Sequence, residues 1–398
     1  MRRGFLIKMA FLLSFGLMAQ TNENVHQNLA DKLLKSDSKL SIGGYAQIDY
    51  NQPFDTDVRR NGVLDVHRLV MLFGYQFTNR TQFITEIEYE HVQEVYIEQA
   101  FLQHRFLPWL NFRGGLVLIP MGIVNEYHEP PTYNGVERPF IDNVISPTTW
   151  RELGAGFTGT VLPASLKYQV YVVNGFNGYN GSARLNGSNG LRSGRQKGAE
   201  SYISSPNLTA KIDYYGINGL NIGLSGYFGD TQSTLYNGIL KEDAGAIAKA
   251  DSSVVGVSML GLDARYTSGA LQLRGQYYYV GLSNTESYNQ FTATNGKPNN
   301  LGSAMVGYYI EGAYNVLKHV AATSYELTPF VRYERYNTHQ AVAGNLAKNK
   351  AYDTTAVVAG LGWKLAPGAV LKADVQWVKS ETDTKAAKAF NAGIGIMF

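Results

Sequence analysis

From Leu40 to Phe398 the chain repeats one unit, a stretch of about ten residues in which apolar and polar side chains alternate, followed by a turn or a polar loop. A period of two is the signature of a β-strand with unlike faces. In the first unit Leu40, Ile42, Gly44, Ala46, Ile48 and Tyr50 share one face, while Ser41, Gly43, Tyr45, Gln47, Asp49 and Asn51 share the other. The pattern continues with Leu69, Met71, Phe73, Tyr75 and Phe77 against Arg68, Val70, Leu72, Gly74 and Gln76. Next, Phe83, Thr85, Ile87 and Tyr89 stand against Glu86, Glu88 and Glu90. Arg113, Lys167, Arg274, Arg332 and Glu334 likewise fall opposite the apolar set of their own segments. Pro329, which cannot donate to a ladder, marks a rim or a bulge. Only the stretch Tyr96 to Phe106 resists phasing, because Ile97 and Phe101 compete with Ala100 and Leu102 for the apolar face.

Such strands need an apolar medium on one side and water on the other. A mean hydropathy of −0.18 is too polar for a bundle of membrane helices. Beyond the N-terminus no apolar run reaches the roughly 18 residues that a spanning helix requires. Closed antiparallel barrels are the remaining way to cross a bilayer, and a lysine or arginine on their lipid face costs about 2–4 kcal/mol near the midplane. The charged face is therefore the lumen. With no cysteine, neither disulfides nor thiolate metal sites are available.

The first residues read as an address. Arg2, Arg3 and Lys8 precede an apolar run from Met9 to Met18, and Ala19 offers a small residue for cleavage, so residues 1–19 are expected to be an export signal. Those residues hold three cations and no acid; without them the 32 acidic residues are balanced by as many basic ones, and the chain gives no sign of nucleic-acid binding. Residues 20–38, with Val25, Leu29, Leu33 and Leu34 at helical spacing, are expected to form a short amphipathic periplasmic segment or a disordered leader. Residues 39–398 form the barrel.

Connections alternate between short turns, such as Thr78-Asn79-Arg80 and Ala366-Pro367-Gly368, and long loops, such as 122–149, 175–206 and 283–303. The count predicts about 16 strands, enough to leave an aqueous channel. Function then lies in what narrows it. The segment Ile119 to Gly159 is the candidate: Pro130, Pro131, Pro139 and Pro147 keep much of it out of the sheet, so it can fold inward as a constriction loop. The pore-lining and constriction candidates are Arg68, Glu86, Glu88, Glu90, Arg113, Arg138, Arg151, Glu152, Arg274, Arg332 and Glu334. Arg68 with Glu86 and Glu88 also reads as a set of wall-stiffening salt bridges, and Arg138 and Arg151 as loop partners of Glu137 and Glu152. The loop 175–199 carries Arg184, Arg192, Arg195 and Lys197 before any acid appears, which suits either an anion-concentrating mouth or a surface loop on lipopolysaccharide phosphates.

The chain resembles the phosphate-selective porin O and P family, in particular its Bacteroidota members. Arg113-Gly114-Gly115, Pro120-Met121-Gly122, Arg138-Pro139, the run Pro147 to Gly154, Tyr171 to Gly175 and Pro329 to Tyr333 carry the likeness. It implies a trimeric porin of sixteen strands with an inward-folded loop. Separately, the terminal Phe398 on an alternating last strand resembles the signal read by the outer-membrane barrel assembly machinery. Members that capture phosphate carry dense arginine rows and a lysine cluster, whereas here Arg68, Arg113, Arg274, Arg332, Lys167, Lys211, Lys364 and Lys372 are mixed with Glu86, Glu88, Glu90, Glu152, Asp213, Asp263, Glu311, Glu334 and Asp374. The expectation is a general diffusion porin of the outer membrane, with a phosphate-type anion channel as the alternative.

Rival classes find less support. The seven histidines are scattered and no Gly-x-Ser-x-Gly or His-Glu-x-x-His element occurs, so no enzyme, metal or cofactor is expected. An adhesin would lack a consistent lipid-facing band. The expected partners are outer-membrane lipid and lipopolysaccharide, the assembly machinery and two further copies of the chain.

Overall fold

The computed structural model describes residues 27–54, 58–320 and 324–398, and the expected export signal lies outside them. Strands run in the order β1 (Leu40–Pro53), β2 (Val63–Thr78), β3 (Thr81–Glu90), β4 (Glu94–Leu107), β5 (Leu110–Leu118), β6 (Arg151–Val161), β7 (Leu166–Val173), β8 (Asn177–Tyr179) and β9 (Asn207–Ile217). They continue with β10 (Leu220–Asp230), β11 (Gln232–Ser233), β12 (Gly256–Ser268), β13 (Leu271–Ser283), β14 (Ala304–Tyr314), β15 (Glu326–Ala341), β16 (Asp353–Ala366), β17 (Ala369–Ser380) and β18 (Ala387–Met397). All but β8 and β11 belong to one closed antiparallel barrel of 16 strands. Closure comes from β1 against β18, with Tyr45 opposite Met397 and Asn51 opposite Asn391, which leaves no unpaired edge in the hydrocarbon.

Tight turns gather at one end. Asn79–Arg80, Pro108–Trp109, Asn218–Gly219, Gly269–Ala270 and Pro367–Gly368 each join neighbouring strands. Gly219 has φ +74° there, and a Cβ on it would meet the Thr267 carbonyl at 2.1 Å, so the turn requires glycine. Pro329 stands one residue beyond the last β14–β15 pair, Ala313 with Phe330, where its missing N–H breaks no rung of that ladder.

The alternation becomes an inside and an outside. Leu69, Leu153, Ile212, Leu262, Ile310 and Val331 are exposed on the outer surface, while Arg68, Glu88, Lys211, Asp263, Arg332 and Asp374 are buried within. Phe77, Phe106, Trp109, Tyr314 and Trp363 ring the short-turn end, and Tyr89, Phe228, Tyr279 and Phe390 ring the other. Two aromatic girdles around an apolar band mark a body built to span a bilayer.

The unphased strand β4 contains a bulge. Glu86 pairs with Gln99 but Ile87 with Ile97, so Glu98 is the extra residue. Glu98 and Gln99 therefore both face inward and the alternation changes phase between them.

Of the segment 20–38, residues 20–26 lie outside the described residues and the rest folds into the barrel mouth at the short-turn end. Helix α1 (Leu29–Leu33) is capped by Asn28, whose side chain accepts from the Asp31 N–H at 2.8 Å. Leu29, Ala30 and Leu33 pack on the lumenal side of β1 and β2, and Lys167 of β7 bonds Asp31 at 2.7 Å. The two leucines find apolar cover there because Leu72 and Ile84 point inward and Gly43 leaves room. A Cβ at Gly43 would come within 3.1 Å of Leu33 and 3.2 Å of Leu29. Burying each leucine contributes about 1.5–3 kcal/mol. Gly43→Val is expected to expel the helix while leaving the barrel folded; limited proteolysis should then cut near residues 27–38 much faster than in the wild type.

Candidate functional site

Residues 119–150 leave the wall between β5 and β6 and cross the lumen. Their neck is tied twice: the Ile119 N–H donates to the Trp150 carbonyl at 3.0 Å, and the Asn125 amide donates to the Ile119 and Trp150 carbonyls at 2.7 and 2.8 Å. The Asn125 oxygen in turn accepts from the Trp150 N–H at 2.7 Å. Trp150 stacks on Phe176 at 4.5 Å between ring centres, and its indole N–H donates to Glu152. Two further donors, the Gly175 N–H at 2.9 Å and the Tyr227 hydroxyl at 3.2 Å, also hold Glu152.

The body of the loop is fastened to the far wall. Arg332 donates to the Asn134 carbonyl at 3.2 Å, Arg274 to the Thr132 carbonyl at 3.2 Å, and Lys372 to the Tyr133 and Gly135 carbonyls at 2.8 Å each. Asp374 accepts from the Val136 N–H at 2.7 Å, and Gln276 holds both the Ile123 N–H and Asp142 at 2.6 Å. Nearer the neck, Lys211 bonds Glu126 at 3.1 Å and also reaches the Gly122 carbonyl. Each loop carbonyl so engaged loses its water but gains a charged or amide donor, which is why irregular backbone is tolerated inside the barrel.

The candidate residues thus divide by task. Arg68 pairs with Glu88 at 3.1 Å and stands 4.0 Å from Glu90, while Glu86 accepts from Tyr45 and Gln99 instead. Arg332 bridges Glu334 at 2.6 Å and Glu311 at 3.2 Å, and Arg274 joins the same Glu311. Arg151 lies 3.7 Å from Glu98 and bonds Thr149. Arg113 donates to Gln103 and covers the Phe101 ring, away from the loop. Arg332, Glu334, Arg151 and Glu152 are at most 2% exposed: they face the lumen, but their contacts are with the loop and one another rather than open water. Arg138 is half-buried and donates to the His128 carbonyl at 3.2 Å.

A second loop, 174–206, folds over the first. It is ordered by the parallel pairing of β8 with β11 and by burial of Leu185 and Leu191. Arg192 and Arg195 donate to the Thr148 carbonyl at 3.0 and 2.7 Å, and Lys197 lies 4.8 Å from the centre of the Tyr96 ring. Among the described residues no carboxylate forms an ion pair with Arg138, Arg192, Arg195 or Lys197. Burial, with Arg192 and Arg151 close by, pushes the Arg195 pKa down, and burial with Arg195 and Arg151 does the same to Lys197. On the short-turn side two cavities of about 310 Å³ each flank Gln27 and the mouth helix. Sixteen strands enclose the lumen, and two loops and a helix fold into it.

No protein-family profile matches the chain. Over 382 residues it is 33% identical to an "Uncharacterized protein" of Aquifex aeolicus (strain VF5), covering 93% of this chain and 82% of that one. The chain belongs to that protein's family. Among solved structures this family member is similar to Salmonella typhi OmpF in complex with daunomycin (13% identity, TM-score 0.57, 90% of this chain and 97% of that one). It is also similar to an anion-selective porin of Comamonas acidovorans (11%, 0.56, 90% and 99%) and to outer-membrane OmpT of Vibrio cholerae (12%, 0.54, 91% and 99%). At these identities the likeness concerns the fold, which is that of outer-membrane porins. Barrel, apolar band and girdles together place this family member in an outer membrane.

Proposed function

We propose that the protein is a porin whose water-filled path is reduced to a narrow aperture by the 119–150 loop. The observation that carries this reading is the loop's attachment across the lumen, from its root in β5 and β6 to Arg274, Arg332, Lys372 and Asp374 of β13, β15 and β17, with Lys211 of β9 holding it nearer the neck. Small hydrophilic solutes and ions are its cargo. We read it as a channel rather than an enzyme, since the interior histidines His67 and His128 bond Asp49, Arg68 and the Asn125 carbonyl, an arrangement suited to fixing walls and loop. Liposomes carrying the protein should swell in small sugars and fall steeply in rate with sugar size; equal rates for all sizes, or none for any, would refute it.

A preference for anions, short of dedicated phosphate capture, is the finer proposal. Wall carboxylates are largely neutralised by wall cations, whereas Arg138, Arg192, Arg195 and Lys197 bring unneutralised positive charge to the aperture. The motif likeness to phosphate-selective porins O and P points the same way. Because burial, with Arg195 and Arg151 close by, pushes the Lys197 pKa down, its charge is lost with rising pH before the ordinary lysine range is reached. The reversal potential in a salt gradient should therefore drift toward zero with rising alkaline pH, and Lys197→Arg should flatten that drift. Assembly as a homotrimer belongs to the same proposal, one of the solved Vibrio cholerae OmpT structures being described as a trimer form.

A further inference from the structure

We infer that Glu86, Glu98 and His128 bind a divalent transition-metal ion of the zinc class, which would cross-link the constriction loop to the barrel wall. The three residues come from three separate places: β3, the bulge of β4 and the loop. One ligand atom from each lies within 4.8 Å of the others, and all three residues are at most 2% exposed.

The distances separate a metal site from a hydrogen-bonded histidine. Nε2 of His128 stands 3.5 Å from Oε1 of Glu86 and 3.4 Å from Oε2 of Glu98. A protonated imidazole donating to a carboxylate would close to about 2.7–2.9 Å on one oxygen. Instead the nitrogen sits nearly equidistant from the two oxygens and closes to a short hydrogen bond on neither. Ligands at about 2.0–2.2 Å around a tetrahedral zinc lie about 3.3–3.5 Å from one another, which matches the two nitrogen-to-oxygen distances, and the two oxygens lie within 4.8 Å of each other. The other ring nitrogen supports the same tautomer: Nδ1 is 3.1 Å from the Asn125 carbonyl, to which it donates, leaving the Nε2 lone pair directed at the carboxylates.

The surroundings complete such a site. The Tyr45 hydroxyl lies 3.1 Å from each of the two carboxylate oxygens and can donate to only one; it supplies a fourth ligand or orients a metal-bound water. Gln99 fixes the other Glu86 oxygen at 2.6 Å. Arg151, 3.7 Å from Glu98, is the cation nearest to the pair, since Arg68 is taken by Glu88. One imidazole and two carboxylates favour a borderline cation over calcium or magnesium. The bulge has a purpose on this account: it turns the consecutive residues Glu98 and Gln99 both into the lumen, Glu98 toward His128 and Gln99 toward Glu86.

The test uses the purified full chain in detergent, stripped with chelator and titrated with Zn²⁺ by calorimetry and with Co²⁺ by visible absorption. One ion per chain is expected, with Co²⁺ bands of a low-coordinate site containing nitrogen. His128→Gln and Glu98→Gln should each weaken binding at least about tenfold, while His91→Gln, at an exposed histidine, should leave it unchanged. Absence of stoichiometric binding by the wild-type chain, octahedral Co²⁺ bands, or affinity indifferent to both substitutions would overturn the assignment. The wild-type spectrum decides the matter even if a variant fails to fold.

Discussion

Excising residues 122–147 and joining the ends with a short glycine-serine linker should raise single-channel conductance at least about threefold, since a sixteen-stranded wall by itself encloses an open channel. The cut is tolerable because its two sides already meet: Ile119 and Trp150 are bonded as a continuation of the β5–β6 ladder. The wall groups left behind, Arg274, Arg332, Lys372 and Asp374, would exchange loop partners for water in a polar lumen, which costs little. Single-channel recording in symmetric salt gives the comparison. A variant that conducts no better than the wild type would mean that the loop is not what limits flow.

Lys211→Met should destabilise the barrel by about 3–5 kcal/mol, the cost of removing one partner from a buried ionic cluster. Lys211 is fully buried, 3.1 Å from Glu126, 3.6 Å from Asp263 and 3.7 Å from Asp213. Three carboxylates would be left facing one another with Arg265 and Lys167 as the cations nearby, and both Asp263 oxygens already lack a hydrogen-bond donor. Combining Lys211→Met with Asp263→Asn and Asp213→Asn should recover part of the loss, because the uncompensated charge is then removed with its partner. Urea unfolding in lipid, followed by the altered gel mobility of the folded barrel, measures both. Equal stability of Lys211→Met and wild type would indicate that water reaches the cluster freely.

Where the sequence could be read, one physical rule did the work. The penalty for a charge facing lipid forces Arg68, Lys211 and Arg332 inward and Leu69, Ile212 and Val331 outward, so strands, lumen and strand number follow from alternation and turns. Glu98 escaped because a bulge puts two successive residues on one face; the broken alternation of Tyr96 to Phe106 was itself the signal. The mouth helix was legible as a helix from Leu29 and Leu33 but not in its place, which depends on inward-facing Leu72 and Ile84 and on the room at Gly43. Nor could spacing reveal that Asn125 ties the loop's neck or that Arg332 and Lys372 hold its carbonyls, for those pairings join residues more than a hundred positions apart or depend on how the loop folds back. Of the wall cations expected to line open water, Arg274, Arg332, Lys211 and Lys372 are spent on the loop.

The central claim is a narrow, water-filled path past a fixed loop, and planar-bilayer recording of the purified protein in asymmetric KCl, with phosphate then added, tests it most directly. The expected result is a stepwise, ohmic and small conductance with a reversal potential of the sign for modest anion preference and little block by phosphate. A folded protein that inserts and passes no current, or one with the large unselective conductance of an unobstructed sixteen-stranded pore, would contradict it.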